Sequence, residues 1–185
     1  MAQYFTFFDT AIGRMSISWT ARGISGLHLP EENDEKTLNA LKKRVAEMSE
    51  APPCGFVQDA IKRIQLHLQG INQDFSDINL DLSKCSEFSR KVYAASRKIP
   101  AAALLSYGDI AREIGAPAAS RAVGRALGAN PVPIIIPCHR VIGKNGAMTG
   151  FSAYGGCNTK LRLLSIEQAL SSDKISTSSS PIQDA

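Results

Sequence analysis

Between Asn130 and Val141 three prolines, at 131, 133 and 137, interrupt an apolar run that leads straight into Cys138-His139-Arg140. Proline fixes φ and removes a backbone donor, so the stretch reads as a rigid mount for one thiol. A thiol is nucleophilic only as thiolate. A neighbouring imidazole and guanidinium favour that form by accepting a proton and by supplying positive potential, whereas apolar burial does the reverse. The segment by itself leaves two readings open, a reactive cysteine and an inert buried one that merely follows an apolar run.

Charge is distributed unevenly along the 185 residues. Lys+Arg against Asp+Glu is 8 against 11 over residues 1–83, 12 against 4 over 84–170, and 1 against 2 over 171–185. The basic block is what a polyanion-binding unit carries, with an affinity that falls with salt as phosphate counterions are released. The acidic first block argues against a nucleic-acid contact there. Hydrophobic content of 44% with 21% charged residues fits one or two domains with ordinary cores.

No stretch suggests a membrane span, and Met1 to Thr10 has no basic region followed by a long apolar run, so the cytoplasm is the expected location. The cysteines at 54, 85, 138 and 157 form no Cys-x-x-Cys pair. With histidines only at 28, 67 and 139, a structural zinc site has little support and no metal is expected. Cys54, Cys85 and Cys157 read as structural thiols, and His28 and His67 as ordinary surface or core residues.

Apolar alternation from Tyr4 to His28, punctuated by Gly13, Gly23 and Gly26, predicts paired strands. Helical spacing follows over Leu38 to Met48, then over Phe56 to Leu68 with Phe56, Ala60, Ile64 and Leu68 inward, and over Glu87 to Lys98 with Phe88, Val92 and Ala95 inward. Asp74 to Ser83 reads as a crossing segment. Residues 171–185 are too poor in apolar side chains to dock and are expected to be a disordered tail.

Tyr107 to Gly128 reads as helix, turn, helix. The first helix turns Ile110, Ala111 and Ile114 inward and stops at Gly115-Ala116-Pro117. The second puts Ala122, Val123, Ala126 and Leu127 on one stripe and leaves Arg121 and Arg125 one turn apart on the outer face. Small residues Ala118, Ala119, Gly124 and Gly128 keep it slim, which suits either a sugar-phosphate surface or a close helix crossing.

Pro137-Cys138-His139-Arg140-Val141 after Asn130-Pro131 resembles the active-site signature of the O6-alkylguanine-DNA alkyltransferases, also called methylated-DNA–protein-cysteine methyltransferases. The likeness continues through Ser106-Tyr107-Gly108-Asp109-Ile110-Ala111, Arg121-Ala122-Val123-Gly124, Lys160, Leu163-Leu164 and Glu167, and more loosely through Phe8 to Gly13. The resemblance implies a mixed α/β protein: a ribonuclease-H-like α/β domain over 1–83 and a mainly helical domain over 84–170 that carries a winged helix-turn-helix and the thiol. It implies double-stranded DNA containing O6-alkylguanine as the partner, bound mainly through the minor groove by a monomeric protein without a cofactor. Arg121 matches the arginine that enters the base stack, and Tyr107 the tyrosine that helps turn the nucleotide out. Extrusion also follows from geometry, since a thiol inside a pocket cannot reach an alkyl carbon within stacked duplex. Arg125 is a phosphate contact or a solvated charge.

The resemblance makes Cys138 the alkyl acceptor, His139 the relay for its proton, Glu167 the group that orients the imidazole, and Asn130 the organiser of the backbone around them. Taken without it, Glu167 is as well a surface carboxylate and Asn130 a helix cap. Neighbouring side chains on an extended backbone point apart, so direct pairing of Cys138 with His139 requires a local turn, and a bridging water is the alternative. Lys144-Asn145-Gly146 predicts a hairpin between Arg140-Val141-Ile142 and Ala147-Met148-Thr149, like the wing of a winged helix. Met148, Phe151 and Ser152 match pocket positions, although Ser152-Ala153-Tyr154 runs about two residues longer than the commoner pattern.

Two rivals remain at this level. A lesion-flagging DNA binder would not need the thiol. A cysteine hydrolase would turn over, because its thioester has a carbonyl for water to attack, whereas the thioether expected here has none.

Overall fold

Alternation of apolar side chains builds an antiparallel meander from β1 (Tyr4–Thr10), β2 (Gly13–Thr20) and β3 (Gly23–His28). A short β4 (Ser49–Glu50) adds parallel to β1, giving the order β3-β2-β1-β4. The computed structural model describes residues 2–44, 48–148 and 151–168. In the central strand β2, Met15, Ile17 and Trp19 are buried on one side and Ser16, Ser18 and Thr20 on the other.

Helix α1 (Asp34–Arg44) lies against β2, and α2 (Gly55–Leu68) against β1. The sequence carried the first helix on to Met48. Its described part ends at Arg44, and residues 45–47 and 169–185, the whole of the expected tail among them, lie outside the described residues. Along α2 the inward stripe is Val57, Ala60, Ile64, His67 and Leu68. Phe56, expected inward, is 45% exposed, because the stripe starts one position later and turns Phe56 past its edge.

The crossing segment after α2 pairs with the free edge of β3. Ile24 donates its amide to Asn79 O at 2.9 Å, and Asp81 donates to Ile24 O at 2.8 Å. Gly23, at φ 142°, makes this approach possible, since a Cβ there would sit 2.4 Å from Asn79 O.

Helix α3 (Glu87–Arg97) starts at Ser86, whose hydroxyl accepts the Ser89 amide at 3.1 Å. Strand β5 (Leu105–Ser106) leads into α4 (Tyr107–Glu113), held by a reciprocal cap: Ser106 Oγ accepts from the Asp109 amide at 3.1 Å and Asp109 Oδ2 accepts from the Ser106 amide at 2.7 Å. Gly115, at φ 73°, ends that helix, and α5 (Ser120–Gly128) follows with Val123, Ala126 and Leu127 buried. Tyr93 ties α3 to α5 by donating its hydroxyl to Ala126 O at 2.8 Å.

A 3-10 turn (Cys138–Arg140), β6 (Val141–Ile142), a second 3-10 turn (Lys144–Gly146) and α6 (Cys157–Ile166) complete the chain. The expected tight turn is present, closed by Gly143 N donating to Ala147 O at 2.7 Å. The expected hairpin is not formed by the described residues: β6 pairs in parallel with β5, and Ala147 and Met148 make no strand. The 3-10 turn takes up Arg140 and leaves only two extended residues, too few for the strand a wing hairpin needs. Thr149 lies outside the described residues.

Candidate active site

The mount for the thiol is tied down at both ends by one side chain. Asn130 Oδ1 accepts the Val132 amide at 2.9 Å, and Asn130 Nδ2 donates to Ile136 O at 2.8 Å. Between them Ile134 is buried at φ 74°, a left-handed conformation that a β-branched residue adopts at a cost of about 1–3 kcal/mol. The surrounding bonds must over-determine it. One comes from the sheet, where the Leu27 amide of β3 donates to Pro131 O at 2.9 Å.

Pro137 then turns the chain into the 3-10 turn that carries Cys138, His139 and Arg140, all buried. The turn does not bring the imidazole onto its neighbour. His139 Nε2 instead donates to Glu167 Oε1 at 2.7 Å, because a carboxylate only accepts. That leaves Nδ1 as the basic nitrogen, buried and without a hydrogen-bond partner among the described residues. Glu167 Oε1 also accepts from His67 Nε2 at 2.8 Å and Arg140 Nη2 at 2.9 Å, and Oε2 accepts from Arg140 Nε at 2.9 Å. Burial alone would raise the Glu167 carboxyl; the bonds from His139, His67 and Arg140 outweigh it and hold the group well below the usual range. Burial lowers the His139 imidazole, and Glu167 opposes this.

The sequence placed the Arg140 guanidinium beside the thiol as a source of positive potential. It is committed instead to Glu167 and to the Ile99 carbonyl. Cys138 is 9% exposed, and burial pushes its thiol up, opposed by the hydrogen bond with Asn130 and by the charge of Lys160. Lys160 is fully buried on α6, donates to Val141 O at 2.6 Å and lies 5.9 Å from the centre of the Tyr107 ring. Its own pKa is lowered by burial and supported by the Cys138 charge.

Two cavities with a shared wall lie at the site. The inner one, about 190 Å³, is lined by Cys138, Asn130, Pro133 and Leu127. The outer one, about 1130 Å³, is lined by Tyr107, Arg121, Gly124 and Arg125. Gly128, Phe151 and Ser152 belong to both walls. A cavity of about 150 Å³ is enough to take up benzene, so the inner space admits the reacting edge of a heteroaromatic base.

The sequence model described as 6-O-methylguanine DNA methyltransferase, DNA binding domain, matches residues 87–169. The constitutive methylated-DNA–protein-cysteine methyltransferase of Bacillus subtilis is 37% identical over 172 residues, 89% of this chain and 95% of that protein. This chain belongs to the methylated-DNA–protein-cysteine methyltransferases. The family member from Mycolicibacterium paratuberculosis is 47% identical over 109 residues, a match that spans 64% of its length. A crystal structure of a Mycobacterium tuberculosis methyltransferase, OGT in complex with DNA, superposes with a TM-score of 0.74 at 33% identity, covering 90% of this chain and 93% of that one.

In this methyltransferase the fold gathers Asn130, Cys138, Phe151 and Ser152 at the inner cavity, and Tyr107, Arg121 and Arg125 at the outer one. His139 and Glu167 lie buried behind the thiol segment. Ser152 donates to Gly128 O at 2.8 Å and clasps the loop after β6 to the end of α5. Ala118 is exposed in the turn between α4 and α5, and Met148 lies outside the described lining of both cavities. Sequence reasoning did not find His67 as part of the site. The signal was available: a titratable side chain three residues after Ile64, on the buried stripe of α2.

Proposed function

We propose that this methyltransferase repairs DNA by moving the alkyl group of O6-alkylguanine onto Cys138, one lesion per protein molecule. Family membership supports repair by transfer to a protein cysteine, and the M. tuberculosis relative solved with DNA supports DNA as the partner. The observation that carries the assignment to this thiol is its place in the wall of the inner cavity, adjoining the buried His139–Glu167 pair.

In the reaction, the Cys138 proton passes through a water to His139 Nδ1, while Glu167 holds the imidazole with Nδ1 open. The sulfur then attacks the alkyl carbon in line. The S–C bond forms as the C–O6 bond breaks, the bonding pair stays on O6, and the guanine anion is neutralised by the proton that His139 took from the thiol. Lys160 supports the thiolate electrostatically. The thioether has no carbonyl, so water does not reverse it, and no step needs a cofactor.

On the DNA side, residues 84–170 are the binding and acceptor unit, a helix-turn-helix in arrangement, with α5 lying in the minor groove. Arg121 enters the stack, Tyr107 helps turn the nucleotide out, Arg125 meets phosphate, and exposed Ala118 allows close approach of the backbone. Met148, Phe151 and Ser152 shape the base pocket. Residues 1–83 form a ribonuclease-H-like α/β unit that braces the thiol mount. A cytoplasmic monomer belongs to the same reading; among the described residues no helix is long and apolar enough to cross a membrane.

Intact-mass analysis after mixing with an O6-methylguanine oligonucleotide tests this. One methyl per chain, mapped to Cys138, is expected. An unmodified Cys138, or repeated turnover of an ester substrate, would overturn it.

A further inference from the structure

Glu167 gathers donors from two distant parts of the chain. His139 and Arg140 reach it from the 3-10 turn beside the thiol, and His67 reaches it from α2, 100 positions away in sequence. The His67 side chain is 2% exposed and held from three directions. Its Nδ1 accepts the Gln73 amide at 3.2 Å, which leaves Nε2 to donate to Glu167 Oε1 at 2.8 Å. The Phe75 ring meets it nearly edge-on, with centroids 5.2 Å apart. A ring bonded at both nitrogens and packed on a flank has one orientation and one tautomer.

We propose that His67 is a positioning residue of the alkyl-transfer site, acting through Glu167 on the basicity and orientation of His139. The inference rests on the reading of His139 as acceptor of the thiol proton. Oε1 of Glu167 is shared by His67, His139 and Arg140. Hydrogen bonds to one carboxylate oxygen compete for the same lone-pair density, so each donor weakens the hold on the others. Withdrawing the His67 bond concentrates the negative charge on His139 and stabilises its imidazolium. His139 then takes up a proton at higher pH and ceases to be a base sooner as pH falls. The charged and titratable groups around His139 in this cluster are Glu167, Arg140 and His67 itself. Of these, only His67 comes from the N-terminal half of the chain.

A merely structural imidazole would change stability without moving the pH dependence, and this separates the two roles. The measurement is the single-turnover rate of methyl transfer from an O6-methylguanine oligonucleotide, followed by intact mass across pH in the full chain. In His67→Phe, which keeps an aromatic ring and deletes the donor, the acid limb of the profile is expected to move up by about half a pH unit or more. In His67→Gln, whose amide nitrogen can reach the same oxygen, the limb is expected to return to its original position. If His67→Phe does not fold, His67→Asn, too short to reach Glu167, takes its place. An unshifted limb in the donor-less variant, or the same shift in His67→Gln, overturns the proposal. Absence of transfer by the unaltered protein would instead sink the functional reading on which it rests.

Discussion

His139 donates to Glu167 at 2.7 Å through Nε2 and keeps Nδ1 buried with no partner among the described residues. The pair is therefore loaded for proton uptake at one nitrogen only. Five expectations follow from this site and its surroundings, beyond the test of His67.

The first concerns stability against pH. Burial lowers the folded-state pKa of His139 below its ordinary 6.5, so the unfolded chain binds the extra proton first. Stability from this group is present above pH 6.5 and declines as pH falls below it. Glu167, also depressed, contributes stability above the usual carboxylate range and loses it only at more acid pH. Urea unfolding between pH 8 and pH 5 is expected to show a falling midpoint, with a shallower fall in His139→Gln. Equal slopes would contradict the assignment.

Cys138→Ala removes the acceptor without touching the outer cleft. Methyl transfer is expected to vanish while DNA affinity, measured by fluorescence anisotropy, stays within about twofold, a change of about 0.4 kcal/mol. Equal loss of both would mark the thiol as structural.

Arg121→Ala tests extrusion. Unstacking a base costs a few kcal/mol, so the duplex reaction is expected to slow about tenfold or more, while reaction with free O6-benzylguanine changes little. Arg125→Ala is expected to flatten the salt dependence of binding by about one phosphate contact.

Asn130→Ala frees both ends of the Val132–Ile136 segment. Two part-buried hydrogen bonds are lost and the left-handed backbone of Ile134 keeps fewer restraints, so a loss of about 2 kcal/mol is expected together with slower transfer. Chemical denaturation and single-turnover kinetics on one preparation measure both.

Much of this architecture was legible in the residues. Alternation located β1 to β3, helical spacing located α2 to α5, and the Ser106–Asp109 cap is readable as residue types three apart. The inward stripe of α2 was misread by one position at Phe56, because a large apolar side chain at a helix start satisfies the pattern equally well whether or not it packs. The wing hairpin failed for a local reason, a 3-10 turn at Cys138–Arg140 that no periodicity announces. Lys160 was visible as a residue but not as the charge facing the thiol. Leu27 reaches the site from a sequence distance at which no spacing rule operates, and His67, readable as buried from the stripe of α2, reveals its partner Glu167 only in the packed chain.

The Leu27 bond carries a last consequence. Its amide, at the rim of the sheet, holds the carbonyl of Pro131, at the head of the thiol segment. A fragment starting near residue 87 would contain every group proposed to meet DNA and yet present its sulfur on an unbraced strap. The acidic half of the protein is in this sense a jig that keeps the reactive atom in register with its target.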